Sequence, residues 1–228
     1  KEIKDIETNI ITCEDPVEYR LEGVTQIEVK PKIDLTFGRA LRSVLRQDPD
    51  IVLIGEIRDH ETADIAIKFS LTGHLVFSTL HANDAPSTIT RMLDIGVPPY
   101  LVGSSLNLVM AQRLVRKICS HCKTDYTPTE DELMSAGITA EEAKDMNFKY
   151  GTGCVHCDNT GYSGREGIFE VLEVTQNIRK LIFDKQNQDV IRDEALKANM
   201  SSLHTEAVKK MKLGITSIRE VIKLTISE

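Results

Sequence analysis

The chain has 228 residues, 41% hydrophobic and 28% charged, enough for one large or two small globular domains with a real core. A formal net charge of −7 and an aromatic content of 5% argue against a dedicated nucleic-acid binder, which needs a basic face or stacking platforms. No apolar stretch approaches the ~20 residues of a membrane-spanning helix and no signal-peptide pattern opens the chain, so a cytosolic protein without direct membrane insertion is expected.

The first residue is Lys1 rather than Met, which suggests that the chain starts inside a longer protein. Residues 9–13 read as a buried strand that runs into Glu14-Asp15-Pro16-Val17-Glu18. A carboxylate at the carboxyl end of such a strand stands on the ligand side of an open α/β sheet, where it can orient a water in line with a leaving phosphate. Pro16 stiffens the turn and restricts Asp15 before it. Cys13, alone inside the strand, reads as a small core residue. A helix is expected over about 35–47, with Asp34 as its N-cap. Arg39, Arg42 and Arg46 share one face of it, either reaching a phosphate or a neighbouring subunit or forming a solvated, salt-bridged face. The next strand, about 51–55, runs into Gly55-Glu56-Ile57-Arg58-Asp59 in the manner of a Walker B segment. Gly55 occupies the usual Asp position, so Glu56 is the candidate for Mg²⁺.

A helix over about 60–72 is expected to stop at Gly73. The strand that follows, 75–80, is bracketed by His74 and by Ser78-Thr79-Leu80-His81-Ala82-Asn83. A His beside a terminal phosphate can donate a hydrogen bond to it and register its loss. Short apolar runs separated by helices predict a parallel sheet buried on both faces. Asp84-Ala85-Pro86 opens another helix ending near Gly96, and Pro98-Pro99 breaks the chain. A long, mostly apolar helix is then expected from about Tyr100 to Ile118.

Residues 119–164 change character and read as a small metal-held insert. Cys119-Ser120-His121-Cys122 and Cys154-Val155-His156-Cys157 form two C-x-x-C hairpins, which can together supply four thiolates to one tetrahedral Zn²⁺, the alternative being four free or transiently oxidised thiols. All four positions are filled, so the site is closed and structural, and His121 and His156 are not expected to ligate. With little apolar content, the insert should draw much of its folding energy from the metal, on the order of 10 kcal/mol. Residues 165–174 read as a return strand. The rest is helical, with Gly214 and Thr216 or Ser217 separating the last two helices.

From about residue 9 to its end the chain resembles the assembly ATPases of type IV pili and type II secretion, the PilB and GspE group. Glu14 to Glu18 match the family's Asp box, Leu45 to Asp59 its Walker B region, and Thr72 to Ala85 its His box. The paired C-x-x-C motifs match its tetracysteine zinc insert, which the related retraction ATPases lack. Segments 104–106 and 110–114 lean toward the pilus branch.

The resemblance implies an α/β fold: a RecA-like P-loop ATPase core, truncated at its N-terminus, over 1–118, the zinc insert over 119–164, and a mostly helical subdomain over 165–228. It implies a homo-hexamer at the cytoplasmic face of the inner membrane that couples ATP hydrolysis to a membrane platform protein. By position, Glu14 would polarise the attacking water, Glu56 would serve Mg²⁺, and His81, with His74 second to it, would sense the γ-phosphate. Asp15, Glu18, Arg58 and Asp59 are the further cofactor-contacting positions by the same match. Cys119, Cys122, Cys154 and Cys157 would hold Zn²⁺.

The family's phosphate loop, G-x-x-x-x-G-K-[ST], does not occur in these 228 residues. The expectation is therefore a C-terminal fragment of a competent ATPase, inactive by itself. A nucleotide-inactive, zinc-stabilised docking module is the alternative, and the acidic balance disfavours a nucleic-acid motor.

Overall fold

The computed structural model describes residues 2, 3, 5 and 7–225. Strand β1 (Ile10–Glu14) is followed by β2 (Thr25–Glu28), helix α1 (Phe37–Val44), β3 (Ile51–Ile54), α2 (His60–Leu71) and β4 (Leu75–Ser78). Next come α3 (Ala85–Asp94), α4 (Pro99–Ser105), β5 (Leu108–Ile118), β6 (Lys123–Asp125), α5 (Glu130–Ser135), α6 (Ala140–Lys144), β7 (Lys149–Gly151) and β8 (Tyr162–Glu173). Helices α7 (Gln176–Phe183), α8 (Gln188–Lys197), α9 (Leu203–Lys212) and α10 (Ile218–Thr225) complete the described chain.

Two expectations about helices are corrected. The N-cap of α1 is Thr36, whose side chain accepts the Arg39 backbone N–H, and not Asp34. Asp34 instead takes a left-handed φ of 62° to close a short 3-10 turn over Pro31–Ile33, so the helix starts only after that turn ends. The long helix expected from 100 to 118 ends at Ser105. Residues 108–118 are the strand β5, paired antiparallel with β8 in a register running from Leu108↔Glu173 to Ile118↔Tyr162. Val109 and Val115 turn inward while Leu108, Met110 and Leu114 stay exposed, a period of two that the ribbon partner selects over the helical period. The stop at Gly73, with φ 98°, and the break before α4 stand where expected.

The chain forms two compact units. The first comprises Lys1–Ala82, Pro86–Asn107 and Val174–Ile191. Its sheet is fully parallel in the order β2-β1-β3-β4. One face is buried: Ile11, Cys13, Val52 and Ile54 are all within 3% of full burial. Helices α1 and α2, which supply Leu41, Val44 and Phe69 to the core, pack together on the sheet. On the opposite face Leu53, Leu75 and Phe77 are exposed, and Leu53 and Phe77 line a groove together with Ile10, Leu21 and Val24. The described residues therefore bury one face of the sheet and only part of the other, at Thr12 and Ile51, rather than both. Helix α7 packs on α4, where Gly103 leaves the room that the Phe183 ring occupies.

The second unit comprises Asn83–Ala85, Leu108–Glu173 and Arg192–Glu228. Its core joins Val115 and Ile168 of the long ribbon to Ala136, Ile138 and Phe148 from the cysteine-bearing segment and to Leu203, Met211 and Val221 of the last helices. That segment thus has an apolar anchor besides its thiols, more than its composition promised. Buried Glu170 accepts the Ala85 N–H at 2.8 Å and the Leu203 N–H at 3.3 Å, capping the starts of α3 and α9. Arg192 binds Asp84 at 2.6 Å, and Arg113 donates to the Asn83 carbonyl at 3.0 Å.

Candidate active site and metal centre

The carboxyl ends of β1, β3 and β4 lie side by side because the strands are parallel, with Cys13 opposite Ile54 and Ile54 opposite Ser78. Each strand exits into one of the acidic or His-bearing segments. A cleft of about 290 Å³ opens there, lined by Glu14, Asp15, Pro16, Glu18, Gly55, Glu56 and Thr79. Gly55 permits the close approach: a Cβ on it would stand 3.2 Å from the Cys13 carbonyl oxygen and 3.3 Å from Glu14 Cα. The Gly55 N–H donates to that carbonyl at 2.7 Å, which ties the β3 exit to the β1 exit.

Glu56 is 9% exposed. One of its oxygens pairs with Arg58, and the other lies 3.3 Å from His81 Nε2, whose ring is otherwise solvent-exposed. Thr79 brackets the glutamate, its hydroxyl donating to the Gly55 carbonyl at 2.6 Å and its own carbonyl accepting the Ile57 N–H at 2.9 Å. Glu14 is held differently. Its Oε1 accepts the Thr12 hydroxyl at 2.5 Å and the Gln26 amide at 3.0 Å. The register that sets Gln26 beside Thr12 on the next strand makes this possible.

Several candidates thus converge: Glu14, Asp15, Glu18, Glu56, Arg58 and His81. Two lie elsewhere or are otherwise engaged. The Asp59 carboxylate caps α2, accepting the Thr62 N–H at 2.8 Å. His74 sits at the amino end of β4, the far edge of the sheet. Its Nδ1 lies 2.9 Å from both the Thr72 hydroxyl and the Phe69 carbonyl, and its ring meets Phe69 edge-on. At ~3.3 Å per strand residue, β4 separates it from the cleft by roughly 13 Å. Arg39 binds Asp34 and Arg42 binds Glu61, so those two arginines form a salt-bridged face, while Arg46 lies past the end of α1. Burial first, and Glu14 second, push the Cys13 thiol up to about 12, in keeping with an inert core residue.

Carboxylate oxygens are the donors that Mg²⁺ takes, and the cleft gathers four such groups. The second centre is sharper. The sulfurs of Cys119, Cys122, Cys154 and Cys157 all lie within 4.8 Å of one another. Cys119–Cys154, Cys122–Cys157 and Cys154–Cys157 are 3.8, 3.9 and 3.7 Å apart. A tetrahedral Zn²⁺ with Zn–S bonds of about 2.3 Å requires sulfur separations of roughly 3.8 Å. The Cys157 sulfur also accepts the N–H groups of Cys154 and Gly161, both at 3.3 Å, the outer hydrogen bonds that orient a metal-binding thiolate. The donor set fits Zn²⁺. His121 and His156 stack on each other at 3.9 Å and belong to no metal-ligand cluster among the described residues.

Residues 1–223 match the family described as Type II/IV secretion system protein. The chain belongs to that family. It is 45% identical over 217 residues to the type IV pilus assembly ATPase PilB of Pseudomonas aeruginosa, covering 95% of this chain and 38% of that protein. It is 46% identical over 224 residues to the type II secretion system protein E of Aeromonas hydrophila, covering 98% and 44%. Among solved structures, the pilus retraction motor PilT with bound ADP superposes with a TM-score of 0.67 at 28% identity, over 95% of this chain and 52% of that one. The Legionella pneumophila ATPase DotB shares the α/β fold, with a TM-score of 0.64 at 20% identity, over 96% and 51%. The chain thus spans about two fifths of the length of its curated relatives.

Proposed function

We propose that the complete protein is an ATPase that powers type IV pilus assembly or type II secretion, and that this chain carries the hydrolytic half of its nucleotide site. The observation that carries the reading is the meeting of Glu14, Glu56 and His81 at neighbouring strand ends around one cleft. Phosphoryl transfer to water asks the protein mainly for positioning and charge. Glu14 has a carboxylate oxygen available to orient the water. Mg²⁺ bound with the nucleotide supplies charge neutralisation on the phosphates, and Glu56, with Asp15 and Glu18 nearby, would help to hold it. His81 rests against Glu56 and is free on its outer side to meet a terminal phosphate. Arg58 keeps the Glu56 carboxylate oriented. Asp59 belongs to the frame of α2, and His74 is too far along the strand to join these groups in one chain.

The core is of the RecA-like P-loop class in this proposal, and the phosphate loop lies elsewhere in the complete protein. The assembly proposed is the one the family resemblance implies, a homo-hexamer working on an inner-membrane platform protein at the cytoplasmic face. Among the described residues no helix is long and apolar enough to cross a membrane. Zn²⁺ held by Cys119, Cys122, Cys154 and Cys157 would be structural. In the complete protein, Glu56→Gln should keep the fold, read as an unchanged melting temperature, and lower ATP turnover by at least ~100-fold, the scale of losing a group that stabilises transition-state charge. Near-normal turnover would take the Mg²⁺ role away from Glu56.

A further inference from the structure

The geometry points to Gln26 as the positioning residue of the hydrolytic glutamate, an inference that rests on the ATPase reading above. All three hydrogen bonds of its amide are spent on one task. Nε2 donates to Glu14 Oε1 at 3.0 Å and to the Tyr19 carbonyl at 3.1 Å, and Oε1 accepts the Leu21 N–H at 2.7 Å. Gln26 therefore ties the carboxylate to the loop that follows it, so the strand exit and the loop are fixed together. Thr12 completes the grip with a second bond to the same carboxylate oxygen. Glu14 Oε2 takes no hydrogen bond from a described residue, and the glutamate lines the cleft. One oxygen is anchored and the other is left for water, the arrangement an oriented base needs.

Gln26 itself does not line the cleft. It acts through Glu14, so its loss should appear in the chemical step and not in nucleotide binding. The test uses the complete protein with saturating Mg-ATP and compares Gln26→Met, Thr12→Val, Glu14→Gln and the Glu14→Gln/Gln26→Met pair. Each keeps nearly the volume of the residue it replaces. Gln26→Met should lower kcat by ~10-fold, the scale of one hydrogen bond to a charged group, with the KM for ATP within about twofold of wild type. Thr12→Val should follow the same pattern more weakly, and it decides the matter if Gln26→Met does not fold. In single-turnover reactions followed for hours, Gln26→Met should add nothing to the loss already caused by Glu14→Gln. Wild-type kcat in both variants, a loss confined to KM, or a full further loss on top of Glu14→Gln would overturn the positioning role. Unimpaired turnover in Glu14→Gln would instead remove the ATPase-site reading, a separate result.

Discussion

Glu220 illustrates what a buried carboxylate needs. It is 5% exposed and accepts the Arg116 side chain at 2.8 and 3.1 Å, the Arg116 backbone N–H at 2.9 Å and Lys223 at 2.8 Å. Burial pushes its carboxyl up, but these donors outweigh burial and hold it down at about 2. Arg116 in turn lies over the Tyr162 ring at 4.0 Å. A group depressed from about 4.3 in the unfolded chain to about 2 stabilises the fold above pH ~4.3 and loses that contribution as the pH falls toward 2. Glu220→Gln should therefore cost about 3 kcal/mol near pH 7, an order-of-magnitude figure, and the gap to wild type should narrow near pH 3. Urea unfolding at the two pH values measures this, and a gap independent of pH would reassign the effect to packing.

At the scale of elements, the cysteine-bearing segment is held at two ends. Its four cysteine sulfurs form one knot, and Ile138 and Phe148 enter the apolar core with α9 and α10. The knot depends on backbone proximity, since a Cβ on Gly151 would stand 2.0 Å from the Gly161 carbonyl oxygen. The atoms met there are all Gly161 main chain, which cannot swing aside. Gly151→Ala should cost about 1–3 kcal/mol, as overpacking does, and lower the affinity for Zn²⁺ measured by competition with a chelating dye. Stripping Zn²⁺ with a chelator should deprotect the amides of β6, β7 and residues 154–161 in hydrogen exchange, while those of β1 and β3 keep their protection. The apolar anchor predicts that α5 and α9 stay partly protected. Unchanged exchange in β6, β7 and residues 154–161 after metal removal would show that the thiols are not the staple.

For the molecule as a whole, the decisive fact is the distribution of parts. In the proposed ATPase the carboxyl-edge groups are carried by this chain, whereas the phosphate-loop motif G-x-x-x-x-G-K-[ST] does not occur in these 228 residues. The isolated chain should accordingly fold and take up Zn²⁺, yet show no Mg²⁺-dependent ATP turnover above background and only weak nucleotide binding by calorimetry. Robust turnover from this piece would falsify the division of the site. Among the described residues Leu53, Leu75 and Phe77 stay exposed on one face of the parallel sheet, whereas parallel sheets are ordinarily covered on both faces.

Much of this could be read along the chain. The three apolar runs became β1, β3 and β4, and their polar exits met at one edge, because parallel strands place all their carboxyl ends on the same side. The C-x-x-C pairs met because each hairpin is local and the metal geometry needs only the pairing of the two. What tertiary structure alone decided involves partners distant in sequence. Residues 108–118 hold both a helical and an alternating pattern, and only β8, more than forty residues away, resolves them as a strand. Gln26 carries no motif. Its hold on Glu14 exists because β2 pairs with β1 in the register that sets it beside Thr12. His74 and His81 look alike on either side of one apolar run, yet the run is a strand whose two ends lie at opposite edges of the sheet. Local periodicity determines which residues form an element. Pairing, register and direction, set by burial and hydrogen bonds between distant segments, determine which side chains meet.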